Sequence, residues 1–356
     1  MRRWVRGRTP LWVVLAVAGL LTTTGSLARG QTGAESSVGY IDNAIPITQF
    51  RLRYDAGFDM NRPDRAEFFY AEWKELSFHP HGVQGGGVFF DPKARGPEIL
   101  PGKLDFQEAS SYIEWACNNR VSAFVEVPVS FVDFDNLQED PDRERKPGGG
   151  FFPEPRQENR GSPHTNFAGL SDIVAGFKAA LVADPNRYLT FQFRTYIPTG
   201  DPARGLGTGH VSLEPGLLLD QRLTDRLVLE GQFRGWIPID GGDAAGNILI
   251  YGLGLGYDVY RCNAFRVTPV VEFVGWSVLS GFESFFGHIS ATAPPGVVLP
   301  TTHGVLDASD DTILNAKVGV RTYFNERSDL YVGYGRALTD ERWYRDIVRV
   351  EYRLRF

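Results

Sequence analysis

The chain has 356 residues and a net charge of -6, from 37 Lys and Arg against 43 Asp and Glu. That mildly acidic balance, with no basic stripe, argues against a nucleic-acid partner. The 40 Gly, 25 Phe, 14 Tyr and 7 Trp, beside only 2 Met, suit a β protein with glycine turns and aromatic girdles.

Arg2, Arg3, Arg6 and Arg8 precede an apolar run from Leu11 to Leu21, and Ser26-Leu27-Ala28 follows with small residues. This pattern predicts a cleaved secretory signal peptide over residues 1–28, too short to span a bilayer. The residues flanking Arg2-Arg3 do not fit a twin-arginine signal. No later apolar run is long enough to span. A membrane location therefore requires a closed barrel, the other way to satisfy every backbone group in lipid.

Residues 29–65 read as an N-terminal leader. Within it, 47–58 alternates Phe50, Leu52 and Tyr54 against Arg51, Arg53 and Asp55, as a strand does. It is expected as an inner segment or as one of two extra strands. Residues 66–356 read as the barrel, with strands predicted at 66–78, 104–116, 121–132, 169–182, 187–198, 209–220, 226–238, 246–260, 264–277, 311–324, 328–338 and 344–356. The connections alternate short and long, as periplasmic turns and outer loops do. The expected fold is all-β: a closed antiparallel transmembrane barrel of twelve strands, with fourteen as the alternative. The long loop 133–168, which contains QEDPDRERKPGGG, is either a solvated loop or a lid over the mouth.

Alternation assigns side chains to faces. Val125, Val127, Phe191, Phe193, Leu227, Leu229, Val271, Phe273, Val318 and Val320 are placed toward lipid. Glu126, Lys178, Arg194, Glu230, Arg234, Arg266, Glu272, Lys317 and Arg321 are placed toward the lumen. The last strand continues the pattern. Arg349 and Arg353, with Glu351 and Arg355, face in, while Val348, Val350, Tyr352, Leu354 and Phe356 face lipid. Ile347 breaks the pattern, predicting a drier patch of lumen or a bulge. Tyr352, Leu354 and the terminal Phe356 resemble the C-terminal signal that outer-membrane barrels present to their assembly machinery. The lumen charges are either interior ion pairs that fill the barrel or the lining of a wet pore.

Several residues invite a more specific reading. Cys117 and Cys262 lie in turns six strands apart, half the circumference of a twelve-stranded barrel, so two thiols are expected rather than a bridge. Pro128, Pro215 and Pro269 interrupt strands in a barrel that has no edge. They are either tolerated bulges or kinks that open a side gap toward lipid. Gly252, Gly254 and Gly256 alternate on an inward face, leaving room for bulky neighbours. His210, Ser212 and Glu214 offer base, nucleophile and acid on one strand face. That face is the lumenal one, whereas a lipid hydrolase should open to lipid, so no catalytic residue is assigned. His79-Pro80-His81 lacks a third ligand, and neither a metal nor a cofactor is expected.

From Gly169 onward, about half of the mature chain carries motifs of one family. These are Gly169-Leu170-Ser171-Asp172-Ile173 with Lys178, Ile197-Pro198-Thr199-Gly200-Asp201, Gly207-Thr208-Gly209, Leu213-Glu214-Pro215-Gly216-Leu217 and Leu223-Thr224-Asp225-Arg226-Leu227. In them the chain resembles the outer-membrane group named for the meta pathway of phenol degradation. The motifs are turn and glycine signatures and include no chemical site. The resemblance implies an outer-membrane barrel passing small, hydrophobic or aromatic compounds. The function expected is a channel for small solutes, with outer-membrane lipid, the assembly machinery and a solute as partners. The alternatives are a structural or adhesive barrel with a plugged lumen and an outer-membrane lipid hydrolase.

Overall fold

The computed structural model describes residues 36–72, 95–97, 103–135, 166–242, 244–262, 265–287, 302–324 and 326–356. The expected signal peptide, His79-Pro80-His81 and most of loop 133–168 lie outside them. The strands are β1 (Gln49–Met60), β2 (Lys103–Ala116), β3 (Val121–Asp135), β4 (Asn166–Leu170), β5 (Ile173–Asp184), β6 (Arg187–Ile197), β7 (Val211–Arg222), β8 (Leu227–Ile239), β9 (Ile248–Tyr257), β10 (Tyr260–Arg261), β11 (Phe265–Val278), β12 (Phe282–Gly287), β13 (Thr302–Asp307), β14 (Thr312–Phe324), β15 (Ser328–Ala337) and β16 (Asp346–Arg355).

Twelve of them form a closed antiparallel ring, β1-β2-β3-β5-β6-β7-β8-β9-β11-β14-β15-β16. The ring closes where β16 returns to β1, from Gln49↔Arg355 to Phe58↔Asp346. The short β4 and β10 continue the wall beside β3 and β11, and β12 and β13 make a separate hairpin outside it. The expected count of twelve holds, but its first member differs. The wall begins with β1, the segment expected to be internal or extra. Of the expected strand 66–78, the described residues 66–72 form none. The reason is visible in its composition. Phe68, Phe69, Tyr70 and Ala71 are apolar at consecutive positions, so a strand would send them to both faces. Instead a 3-10 turn at Arg65–Glu67, with Ala66 and Glu67 at φ 50° and 51°, folds the segment back. All four side chains then pack inside the molecule.

The outer wall is apolar. Ile113, Trp115, Phe233, Leu253 and Val318 are each more than half exposed, and they belong to a belt of large apolar residues running round the barrel. A water-soluble monomer rarely shows such a surface, whereas a lipid-facing wall requires it.

The three strand prolines sit where a ladder lapses. Pro128 pairs with Ser110 on one side, and on the other faces the break between β4 and β5, where Ser171 N donates to the Pro128 carbonyl at 3.0 Å. At Pro215 the β7–β8 pairing skips from Leu213↔Ile237 to Gly216↔Arg234 without changing register. Pro269 pairs with Val320 but lies beyond the first β9 partner, Val270↔Gly256. Each missing N–H thus falls where no ladder bond is formed. Cys117 and Cys262 are exposed and no disulfide joins them.

Candidate functional site: a plugged lumen with an internal chamber

Residues 36–48 pass through the barrel rather than hanging below it. The segment enters beside β14 and β16, crosses toward β6 and β8, and leaves at β2 to begin β1. Charged wall side chains grip its backbone. Arg353 donates to the Ser36 carbonyl at 2.6 Å, and Arg321 to those of Ser37 and Val38 at 2.9 and 2.6 Å. Glu230 accepts from Ser37 N and Val38 N at 2.7 and 3.2 Å. Glu272 accepts from Gly39 N, Tyr40 N and Ile41 N at 2.9, 2.8 and 3.2 Å. Arg349 donates to the Gly39 carbonyl at 2.5 Å, Gln232 accepts from Asp42 N, and Thr190 donates to the Ala44 carbonyl.

Three inward glycines make the space. A Cβ on Gly254 would lie 2.6 Å from Val38 Cγ1, and one on Gly256 would overlap Ser37 Oγ. Gly252 faces Ile41 in the same row. The bulky neighbour for which these glycines leave room is therefore the chain's own N-terminal segment.

Most of the remaining lumen charges pair with one another, Lys317 being the exception. Glu126 lies 2.8 Å from Arg53 and 3.0 Å from Arg194, and Asp42 of the segment lies 2.5 Å from Arg194 and 3.3 Å from Arg234. Glu214 meets Arg234 at 2.6 Å. Asp55 takes Arg349 in a two-pronged pair at 2.6 and 2.7 Å. Asp329 gathers Arg321, Arg353 and Arg355 at 2.5, 2.9 and 2.9 Å. Lys178 pairs with Glu114 at 3.0 Å, and Arg266 stacks 3.5 Å from the centre of the Tyr323 ring. Ile347 is buried in an apolar cluster with Trp276 and Tyr344, and its pairing with Gly57 is in register, without a bulge. Tyr352 and Leu354 are half-buried, while Phe356 is 75% exposed and donates its N–H to the Thr48 carbonyl at 3.1 Å.

A second inward segment closes the other end. Residues 61–72 fold over the mouth, where Phe68 packs edge-to-face on Trp236 and tilted against Trp343, each with ring centroids 5.2 Å apart. Arg65 is fully buried and holds Glu283 at 2.6 Å, Asp311 at 3.1 Å and Glu341, while Arg62 also pairs with Glu283. Glu283, Asp311 and Glu341 approach one another closely enough to hold a metal ion, but these two guanidinium groups already occupy the cluster. Beside it, Ser284 N donates to the Asp64 carboxyl, whose burial pushes its pKa up to about 7. Burial likewise raises that of Glu283.

Between the two inward segments lies a cavity of about 300 Å³, with Tyr40 and Asp42 on one side and Phe68, Phe69 and Tyr70 on the other. This volume sits at the lower end of small-molecule sites.

Ser212 Oγ lies 3.2 Å from His210 Nδ1, but the carboxylate near His210 Nε2 is Glu67, at 3.4 Å; Glu214 serves Arg194, Arg234 and Tyr196 instead. Ser212 is fully buried on the inner side of the wall. Three of the family-like motifs meet at one structural joint: Asp172 accepts from Gly200 N and Thr208 N at 3.0 and 2.9 Å, pinning the loop between β6 and β7.

Sequence reasoning missed residues 36–46 and the capping segment 61–72. The glycine row on β9 was the one local trace of the first.

No family model matches the sequence, and no curated protein does. Among solved structures, an outer-membrane channel from Pseudomonas putida F1 is similar at 11% identity and a TM-score of 0.48, covering 93% of this chain and 100% of its own. The NanC porin is similar at 7% identity and a TM-score of 0.40, covering 86% and 100%. The KdgM porin is similar at 8% and 0.37, covering 86% and 99%. Scores at this level transfer no property to the chain.

Proposed function

We propose that this chain is an outer-membrane channel for small solutes, held shut here by its own residues 36–48. The observation that carries the reading is how the segment is held. Wall carboxylates and guanidinium groups grip its main chain across an otherwise charged lumen, so it is a separable occupant of a preformed barrel. The apolar belt supports a membrane location. Export by the N-terminal signal and insertion guided by the terminal Phe356 complete the route to the outer membrane. The resemblance to the phenol meta-pathway group and the aromatic side of the chamber favour small hydrophobic or aromatic solutes. The break at Pro128 and Ser171-Asp172 borders the same chamber, which favours sideways release into lipid. Unchanged uptake of such solutes by Pro128→Val would count against that exit.

The filled lumen also favours a second reading, a structural or adhesive barrel that conducts nothing. Planar-bilayer recordings of the full chain and of a variant lacking residues 36–46 separate the two. The channel reading expects rare openings from the full chain and a steady conductance from the deletion. A folded deletion variant that conducts no more than the full chain would refute it and leave the structural barrel.

A further inference from the structure

Lys317 stands apart among the charged side chains around the chamber. Asp42, Arg53, Asp55, Glu108, Glu126, Arg194, Glu214, Arg234 and Arg349 each have an opposite charge within 4 Å, and Asp172 has its backbone N–H donors. Lys317 is 2% exposed and has no carboxylate within that distance among the described residues. Its Nζ donates to the Tyr344 hydroxyl at 2.9 Å. It lies 3.7 Å from the centre of the Tyr40 ring and 5.5 and 5.6 Å from those of Trp276 and Tyr344. Across the strand its partner is Glu272, but that carboxylate is turned to the N–H groups of residues 39–41 and to Tyr331. Arg349 is also drawn over the Tyr40 ring, at 4.1 Å, but its charge is met by Asp55, so Lys317 is the cation there without a carboxylate in contact.

An ammonium removed from water without a counter-ion loses several kcal/mol, and aromatic faces return only about 2. The missing partner has room: Lys317, Tyr40, Trp276 and Tyr344 all line the cavity, and the Tyr40 hydroxyl and Gln232 Nε2, which also line it or face it, have no hydrogen-bond partner. Apolar residues beside them in the lining include Phe106, Ile250, Val274 and Ile347. We propose that the chamber binds a small organic monoanion, a carboxylate carried on a flat apolar body, with the carboxylate on Lys317 and the body against the aromatic wall. This names the solute class of the channel reading above and rests on it for its role, though not for the binding itself.

Benzoate and its uncharged isostere benzamide are suitable probes, titrated calorimetrically into the full chain in detergent micelles. Benzoate should bind at least tenfold more tightly than benzamide, and Lys317→Gln, checked for heat-modifiable migration on a gel, should erase that difference. Equal binding of the two by the wild-type chain, absence of benzoate binding, or a preference unchanged in Lys317→Gln would each overturn the assignment. The wild-type contrast needs no variant to fold. Binding in micelles does not depend on conduction, so a silent barrel that still prefers benzoate would remove the channel reading alone. A conducting deletion variant whose parent shows no preference would remove the anion site alone.

Discussion

Glu272→Ala should unseat the N-terminal segment without unfolding the barrel. The carboxylate accepts three main-chain N–H groups of residues 39–41, and its removal strands them in a buried setting. At about 1 kcal/mol for each donor, the low end of the range because water can enter the space vacated, the loss is about 3 kcal/mol. With roughly 1.4 kcal/mol per tenfold, the ratio of unseated to seated segment should rise by about a hundredfold. Glu272→Gln keeps an acceptor oxygen and loses only the charge assistance, so its effect should be clearly smaller. The assay is single-channel open probability in planar bilayers, with gel migration as the control for a folded barrel. If Glu272→Ala left the open probability at the wild-type value while deletion of 36–46 raised it, the carboxylate's grip would not be what seats the segment.

Gly254→Val should act on the same equilibrium by volume. Its new side chain overlaps Val38, so an open fraction above wild type with unchanged barrel migration is expected, and a closed barrel would show that the segment simply shifts. Arg65→Ala should leave Glu283, Asp311 and Glu341 facing one another without their buried cation, costing about 3–5 kcal/mol. A lowered thermal midpoint should report it, with faster proteolysis within 61–72. The Asp64 carboxyl has a folded-state pKa raised to about 7 by burial, above its unfolded value of about 3.9. Its contribution to holding segment 61–72 is therefore complete below the unfolded value and is lost as pH rises through about 7. Hydrogen exchange in 61–72, corrected for its intrinsic pH dependence, should be faster at pH 8 than at pH 5, and Asp64→Asn should flatten the contrast.

Much of the wall is legible in the sequence because its determinants are local. Period-two alternation along Phe50 to Asp55, Phe191 to Ile197 and Val348 to Phe356 states which face meets lipid. Turns such as Cys117-Asn118-Asn119 mark where each hairpin closes, and counting back from the last strand brings the number to twelve. The same reasoning misplaced the first strand. Apolar density over Phe68 to Trp73 satisfies a strand count as readily as alternation does, and parity alone does not distinguish 47–58 from 66–78 as the opening member. Ile347, the exception on the polar face of β16, marks the dry part of the lumen.

What fills the barrel belongs to the tertiary structure. The Gly39 carbonyl meets Arg349 across 310 positions of sequence, and Ser36 meets Arg353 across 317. Such contacts leave no period in the chain, because the segment is bound mainly through its backbone, and a backbone is the same whatever the side chains. Glu230, Glu272, Arg321 and Arg349 could be read from sequence as inward charges, yet only closure of the ring decides whether an inward charge meets water, a counter-ion or a peptide. Closure also sets Lys317 against the chamber among aromatic rings, with no carboxylate within 4 Å among the described residues. The wall follows from a repeat of two residues; the plug, the cap and the chamber exist only once strands distant in the chain have been brought face to face.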